Sequence, residues 1–99
     1  MDKNTQKAIS KVINWLRDTH NLSVEEMANM LSKSENYIYM IERGDRTPSL
    51  SLIVDIVNEF DTKLGKFFIW VDIFRNMKEV EEMEDIDDLP EEEIFGGEI

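Results

Sequence analysis

The stretch NLSVEEMANMLSKSENYIYMIERGDRTPSLSLIVDIVNEF, residues 21–60, carries the signals that decide the fold. Ser23 and Glu26 have the spacing of a capping box, in which each side chain caps the other residue's backbone at the start of a helix. Ser34 is a good N-cap for the next helix. Gly44 suits the position just past the end of that helix, where the backbone φ angle is usually positive. The stretch therefore predicts two short helices joined by a tight connection.

Apolar residues at helical spacing extend this pattern in both directions along the chain. They predict a first helix over 5–19, the capped second helix over roughly 23–31, and a fourth helix over about 50–60 with Ser49 as its cap. A fifth segment begins at Lys63. Its aromatic and β-branched stretch FFIWVDIF is also compatible with a strand, but the good helix formers in NMKEVEEME that follow favour a helix. We expect an all-α fold of five helices.

The order and spacing of these features resemble the Cro/repressor-like (XRE) helix-turn-helix family. The resemblance covers roughly residues 6–68 and implies a five-helix lambda-repressor-like domain. Its matching positions are Leu22, Ser23, Glu25, Glu26, Ala28, Leu31, Ser34, Ile38, Ile41, Glu42, Gly44, Arg46, Pro48, Ser49 and Leu50. Four positions depart from the usual family pattern, with Val24 in place of Gln, Ser32 in place of Gly, Lys33 in place of an apolar residue, and the neutral Met40 near where family members often have a basic residue.

The resemblance implies that the start of the third helix enters the DNA major groove while flanking residues bind phosphates. It also implies sequence-specific binding of operator DNA by a transcriptional regulator of the Cro/repressor type, acting as a homodimer. The implied DNA-binding residues are Lys33, Ser34, Glu35, Asn36, Tyr37, Tyr39, Arg43 and Arg46. Of these, Asn36 can bind adenine with two hydrogen bonds, and Glu35 can accept one from cytosine.

The charges near the recognition segment allow a second interpretation. Residues 22–49 contain three basic and five acidic residues, a net charge of −2. Because DNA affinity depends largely on neutralised phosphates, this surface is expected to bind weakly unless its cations are concentrated. Arg43 and Arg46 are predicted phosphate contacts, but they could instead only neutralise Glu42 and Asp45 beside them.

The fifth segment is predicted to form a dimer interface. It has apolar residues on nearly every side, and a small domain can cover only one of them, so the remainder should meet a second copy. The predicted interface residues are Phe67, Trp70, Val71, Phe74 and Met77.

Composition excludes several other classes of protein. The 99 residues contain no Cys and a single His, and no cluster suited to a metal or a nucleophile is evident, so we expect no enzyme, no metal and no cofactor. The longest apolar run is far shorter than the ~20 residues that a membrane span needs. A soluble, cytoplasmic protein with no membrane contact is expected.

The charge of the chain is divided unevenly. Residues 1–78 hold 11 basic and 11 acidic residues, whereas residues 79–99 hold the other 11 acidic residues and no base. This division predicts a DNA-binding domain over 1–78 and an acidic tail over 79–99. The tail alternates acidic with apolar residues, which suits docking on a basic surface of a protein partner or on the Arg43 and Arg46 surface of the same chain. The alternative function is therefore a protein-interaction module or an antitoxin.

Overall fold

The computed structural model describes residues 1–77, and the predicted acidic tail lies outside the described residues. Five helices follow one another along the chain, with no strand among residues 1–77. They are α1 (Lys3–Thr19), α2 (Val24–Leu31), α3 (Glu35–Glu42), α4 (Leu50–Glu59) and α5 (Leu64–Asn76). The predicted all-α fold is confirmed, and the fifth segment is a helix.

Short side chains cap the first four helices, as the local sequence dictates. Ser23 accepts a hydrogen bond from the Glu26 backbone, Ser34 caps α3, and Ser49 caps α4, which confirms these three predicted caps. The predicted start of α1 is two residues too late, because Asp2 accepts a hydrogen bond from the Thr5 backbone N–H at 2.6 Å and starts the helix at Lys3.

A single apolar core lies between the five helices. Its members are buried residues of every helix together with Phe60, and α1 packs along α5 while α2 packs on α3. The largest side chains with less than 2% exposure are Phe67, Ile13, Met27, Ile38, Ile41, Ile56 and Val12. Burial of this apolar surface is the main favourable contribution to folding.

The orientation of α5 turns the predicted dimer-interface residues towards the core of the same chain. Phe67, Trp70, Val71 and Phe74 are 0%, 4%, 5% and 2% exposed within a single chain, and Met77 is half-buried against the same core. These side chains therefore have little surface left to offer a second copy. The physical reason is Trp15 on α1, whose ring packs edge-on against Trp70 with 4.8 Å between centroids. The apolar residues that α5 leaves exposed are Leu64 and Phe68.

Among residues 1–77, no helix is both long and apolar enough to cross a bilayer.

Candidate nucleic-acid interface

The turn between α2 and α3 sets the angle of the recognition segment. Ser32 takes the left-handed conformation, with φ of 56° and ψ of 43°, and so occupies the backbone state that glycine would adopt most easily. The Lys33 backbone N–H donates to the Ala28 carbonyl at 2.9 Å and closes the end of α2. Ala28 is 2% exposed. A small residue at this position allows α2 and α3 to lie close together.

The first turn of α3 presents polar side chains to solvent. Ser34 accepts a hydrogen bond from the Tyr37 backbone N–H at 3.1 Å, and Ile38 and Ile41, each 1% exposed, hold the helix to the core. Four of the predicted contact residues on or beside this turn are exposed, and Tyr39 is exposed one turn later. The four exposed residues at the first turn are Lys33, Ser34, Glu35 and Asn36. The structure brings these residues together on one end of α3, where side chains could reach base edges.

Tyr37 has a different position from its neighbours. It is half-buried, and two cations lie near its ring, with the Arg46 guanidinium carbon 5.2 Å and the Lys33 Nζ 5.6 Å from the ring centroid. Cations at this range are attracted by the negative face of the ring. Tyr37 therefore joins Lys33 and Arg46 into one small cationic group beside the exposed turn of α3, which we call the recognition cluster.

Arg43 and Arg46 contact different neighbours. The Arg43 Nε donates to Asp45 Oδ2 at 2.9 Å, in a pair whose side chains are 61% and 58% exposed. An exposed pair of this kind contributes only ~0–1 kcal/mol. Of the two arginines, Arg43 is thus neutralised by an acidic neighbour, Asp45, whereas Arg46 lies over the ring of Tyr37.

The carboxylate of Glu42 belongs to a partly buried network with Arg17 and Asn14. Its carboxylate accepts hydrogen bonds from Arg17 Nε at 2.8 Å, Arg17 Nη2 at 3.1 Å and Asn14 Nδ2 at 2.8 Å. Arg17 also donates to the Leu22 carbonyl at 2.7 Å. The hydrogen bond to Glu42, supported by the charge of its carboxylate, holds the pKa of Arg17 above its ordinary value. This network joins α1, the α1–α2 connection and the end of α3, and so fixes the recognition helix on the domain.

The sequence reasoning missed a second set of cations, on α1. Lys3, Lys7 and Lys11 follow one another at four-residue intervals, which places them in a row along one face of the helix. They line an open cavity of about 330 Å³ together with Arg43 and Gly44 at the end of α3. The four-residue spacing of the lysines can be seen in the sequence. The position of α3 opposite them, which forms the other wall of the cavity, cannot.

Within residues 1–77, no group of three or more His, Cys, Asp or Glu side chains is arranged to hold a metal ion.

The geometry defines a class of protein: an all-helical domain in which two short helices, joined by a tight turn, expose the start of the second. The family model described as helix-turn-helix matches residues 13–67. A protein of Methanocaldococcus jannaschii, described as an uncharacterized HTH-type transcriptional regulator, is 37% identical over 60 residues, which is 61% of this chain and 91% of that protein. The chain belongs to the helix-turn-helix family, of the XRE type that its motifs resemble.

Proposed function

We propose that this protein is a sequence-specific, DNA-binding transcription regulator that places the start of α3 in the major groove of its operator. Family membership and the similarity to an HTH-type transcriptional regulator support the general function of a DNA-binding regulator. The single observation that supports the contact surface best is the recognition cluster, because Lys33 and Arg46 both lie at the Tyr37 ring, next to the exposed polar side chains that begin α3.

The proposed contacts divide into two kinds. Arg46 and Lys33 would neutralise phosphates, while Asn36 and Glu35 at the exposed turn would reach base edges. Ser34 and Tyr39 remain further candidates on the same helix. Arg43 is the weakest candidate of the original set, since its guanidinium is engaged by Asp45 and lines the cavity beside α1.

Substitutions at Arg46 and Asn36 should separate the two kinds of contact. Arg46→Ala should weaken binding evenly across DNA sequences and flatten the slope of log K against log salt by roughly 1. Asn36→Ala should relax the preference at one base pair by about 1–3 kcal/mol. Arg75→Ala, which removes the same charge from an arginine on α5 that pairs with Asp72, is the matched control and should change neither quantity. Unchanged affinity and selectivity in both Arg46→Ala and Asn36→Ala would contradict the proposed surface.

We further propose that the regulator acts as a homodimer through the apolar residues that α5 leaves exposed. Leu64 and Phe68 are 37% and 38% exposed and lie four residues apart, so they share one side of α5 that suits a contact with a second copy. Such a dimer would place two recognition helices about 34 Å apart, one turn of DNA. Sedimentation of the wild type and of Phe68→Glu tests this proposal: the variant should be a monomer at concentrations where the wild type is a dimer. A wild type that is monomeric at tens of micromolar protein would contradict it.

A further inference from the structure

A continuous row of positive charge runs along α1, apart from the recognition cluster. Lys3, Lys7 and Lys11 lie on one face of the helix and span about 12 Å along its axis, since each residue of an α-helix advances 1.5 Å. Lys3 and Lys7 are exposed and Lys11 is half-buried.

The row forms one wall of the 330 Å³ cavity, and the end of α3 forms the other. Hydrogen bonds hold the two walls in register: Gln6 Nε2 donates to the Gly44 carbonyl at 2.8 Å, and Ser10 Oγ donates to the Ile41 carbonyl at 2.7 Å. Arg43 adds a fourth cation, which is paired with Asp45. We call this cavity, lined by Lys3, Lys7, Lys11 and Arg43, the basic cleft.

One acidic residue also lines the basic cleft, but its charge is already engaged. Glu42 accepts three hydrogen bonds, from Arg17 and Asn14, and the Glu42 side chain is only 9% exposed. The exposed charges of the cleft are therefore predominantly positive, and an anionic group is its natural ligand.

The described chain ends beside this cleft. Asn4 Nδ2 donates to the Arg75 carbonyl at 2.7 Å, so the last turn of α5 lies against the first turn of α1, one residue from Lys3. Hydrogen bonding to Thr5 lowers the pKa of Asp2, and the nearby charge of Arg75 lowers it further. The chain continues from this point into residues 79–99, which carry 11 carboxylates and no basic side chain.

From these observations we infer that the basic cleft is a binding site for a carboxylate-rich peptide, and that its occupant is the segment 79–99 of the same chain. Charge complementarity and the position of the chain end both favour this occupant. A tethered segment also has an effective concentration in the millimolar range, which a separate partner rarely reaches. The basic cleft is favoured over the recognition cluster because it has three lysines besides the Asp45-paired Arg43, rather than two cations, and lies beside the end of α5. The inference does not depend on DNA binding.

A spin label on the full chain tests the inference directly. The protein has no Cys, so Glu92→Cys provides a single site for a nitroxide label. In a ¹⁵N-labelled sample at low salt, the label should attenuate the backbone amide signals of Lys7, Lys11 and Gly44 more than those of α4, a helix that does not line the cleft. The difference should disappear at 1 M NaCl, where the Debye length is about 3 Å.

Charge reversals locate the docking site on the surface. The double variant Lys3→Glu with Lys11→Glu should restore the amide signals of the cleft. Lys63→Glu, the same change on an exposed lysine at the start of α5, and Arg46→Glu in the recognition cluster should leave the attenuation as it was. Restoration by Arg46→Glu and not by the double variant would place the segment on the recognition cluster and overturn the inference.

Two further results would also overturn it. Equal attenuation of the cleft and α4 signals at low salt would show that the segment does not dock in the cleft. In a mixture of unlabelled ¹⁵N chains with a large excess of spin-labelled ¹⁴N chains, attenuation as strong as in the single-species sample would show that the occupant comes from a second copy.

Discussion

The network of Arg17 and Glu42 makes a strong prediction about stability. The two side chains are 17% and 9% exposed and joined by two hydrogen bonds, so removing either one leaves the other charge largely cut off from water. Removing one member of a buried ion pair typically costs 3–5 kcal/mol, and we expect about 3 kcal/mol here because part of each side chain reaches solvent. Domains of this size have a total free energy of unfolding of only about 5–10 kcal/mol. Arg17→Met and Glu42→Leu should therefore each be severely destabilising.

Urea unfolding followed by circular dichroism measures the effect. With a denaturant dependence of about 1.5–2 kcal/mol/M, each single variant should lower the unfolding midpoint by about 1.5–2 M. The double variant should lose clearly less than the sum of the two, with a coupling energy of about 2 kcal/mol, because neither charge is then left alone. Arg43→Ala and Asp45→Ala supply a matched control in the same chain. That pair has nearly the same N–O distance, 2.9 Å, but is mostly exposed, and its coupling should be ~0–1 kcal/mol. Equal coupling energies for the two pairs would refute the argument that burial decides the difference.

Two other features make predictions that simpler measurements can check. Hydrogen bonds with Ser23 hold the pKa of Glu26 below its ordinary value of 4.5, so the carboxylate stabilises the fold above that pH and this contribution is lost as pH falls through the lower, folded pKa. Unfolding measured from pH 6 to pH 3 should show a smaller loss of stability for Glu26→Gln than for the wild type, and identical profiles would contradict the role of this capping box. Gly44 has φ of +81°, and a Cβ added there would have Ser10 Oγ as its nearest neighbour at 3.7 Å, so Gly44→Ala should cost about 1–2 kcal/mol through backbone conformation alone. Gly65→Ala, in α5 with open space around it, should be neutral or stabilising by up to about 0.5 kcal/mol, and thermal unfolding of both variants should show opposite or clearly unequal shifts.

The helix ends could be predicted from sequence because their causes are local. Ser23, Ser34 and Ser49 each bond a backbone N–H three residues away, and Gly44 takes its positive φ within one turn of α3. Such interactions require particular residue types at a fixed spacing, so they can be recognised in the sequence. The missed start of α1 at Asp2 had the same kind of signal, in a polar N-terminal segment without an apolar pattern.

The side of α5 that faces the core could not be predicted, because α5 is apolar on most of its circumference. Trp15 decides the matter by packing on Trp70 and Phe74, and nothing in the sequence couples residues so far apart. The partner of Glu42 could not be predicted for the same reason. Arg43 is its neighbour in the sequence, but Arg17 on α1 binds it in the fold. For the candidate site, the polar residues at the start of α3 could be predicted from the sequence. The different partners of Arg43 and Arg46 could not, because they depend on how the helices pack.

The packing of α1 against α5 extends the apolar core past the end of the family match. The helix-turn-helix match ends at residue 67, yet Trp70, Val71 and Phe74, which cover Trp15 and the adjoining face of α1, lie beyond it. A fragment cut at residue 67 would hold both motif helices and still expose this apolar face to water. During synthesis, α1 must accordingly wait for α5 before its core-facing side is covered.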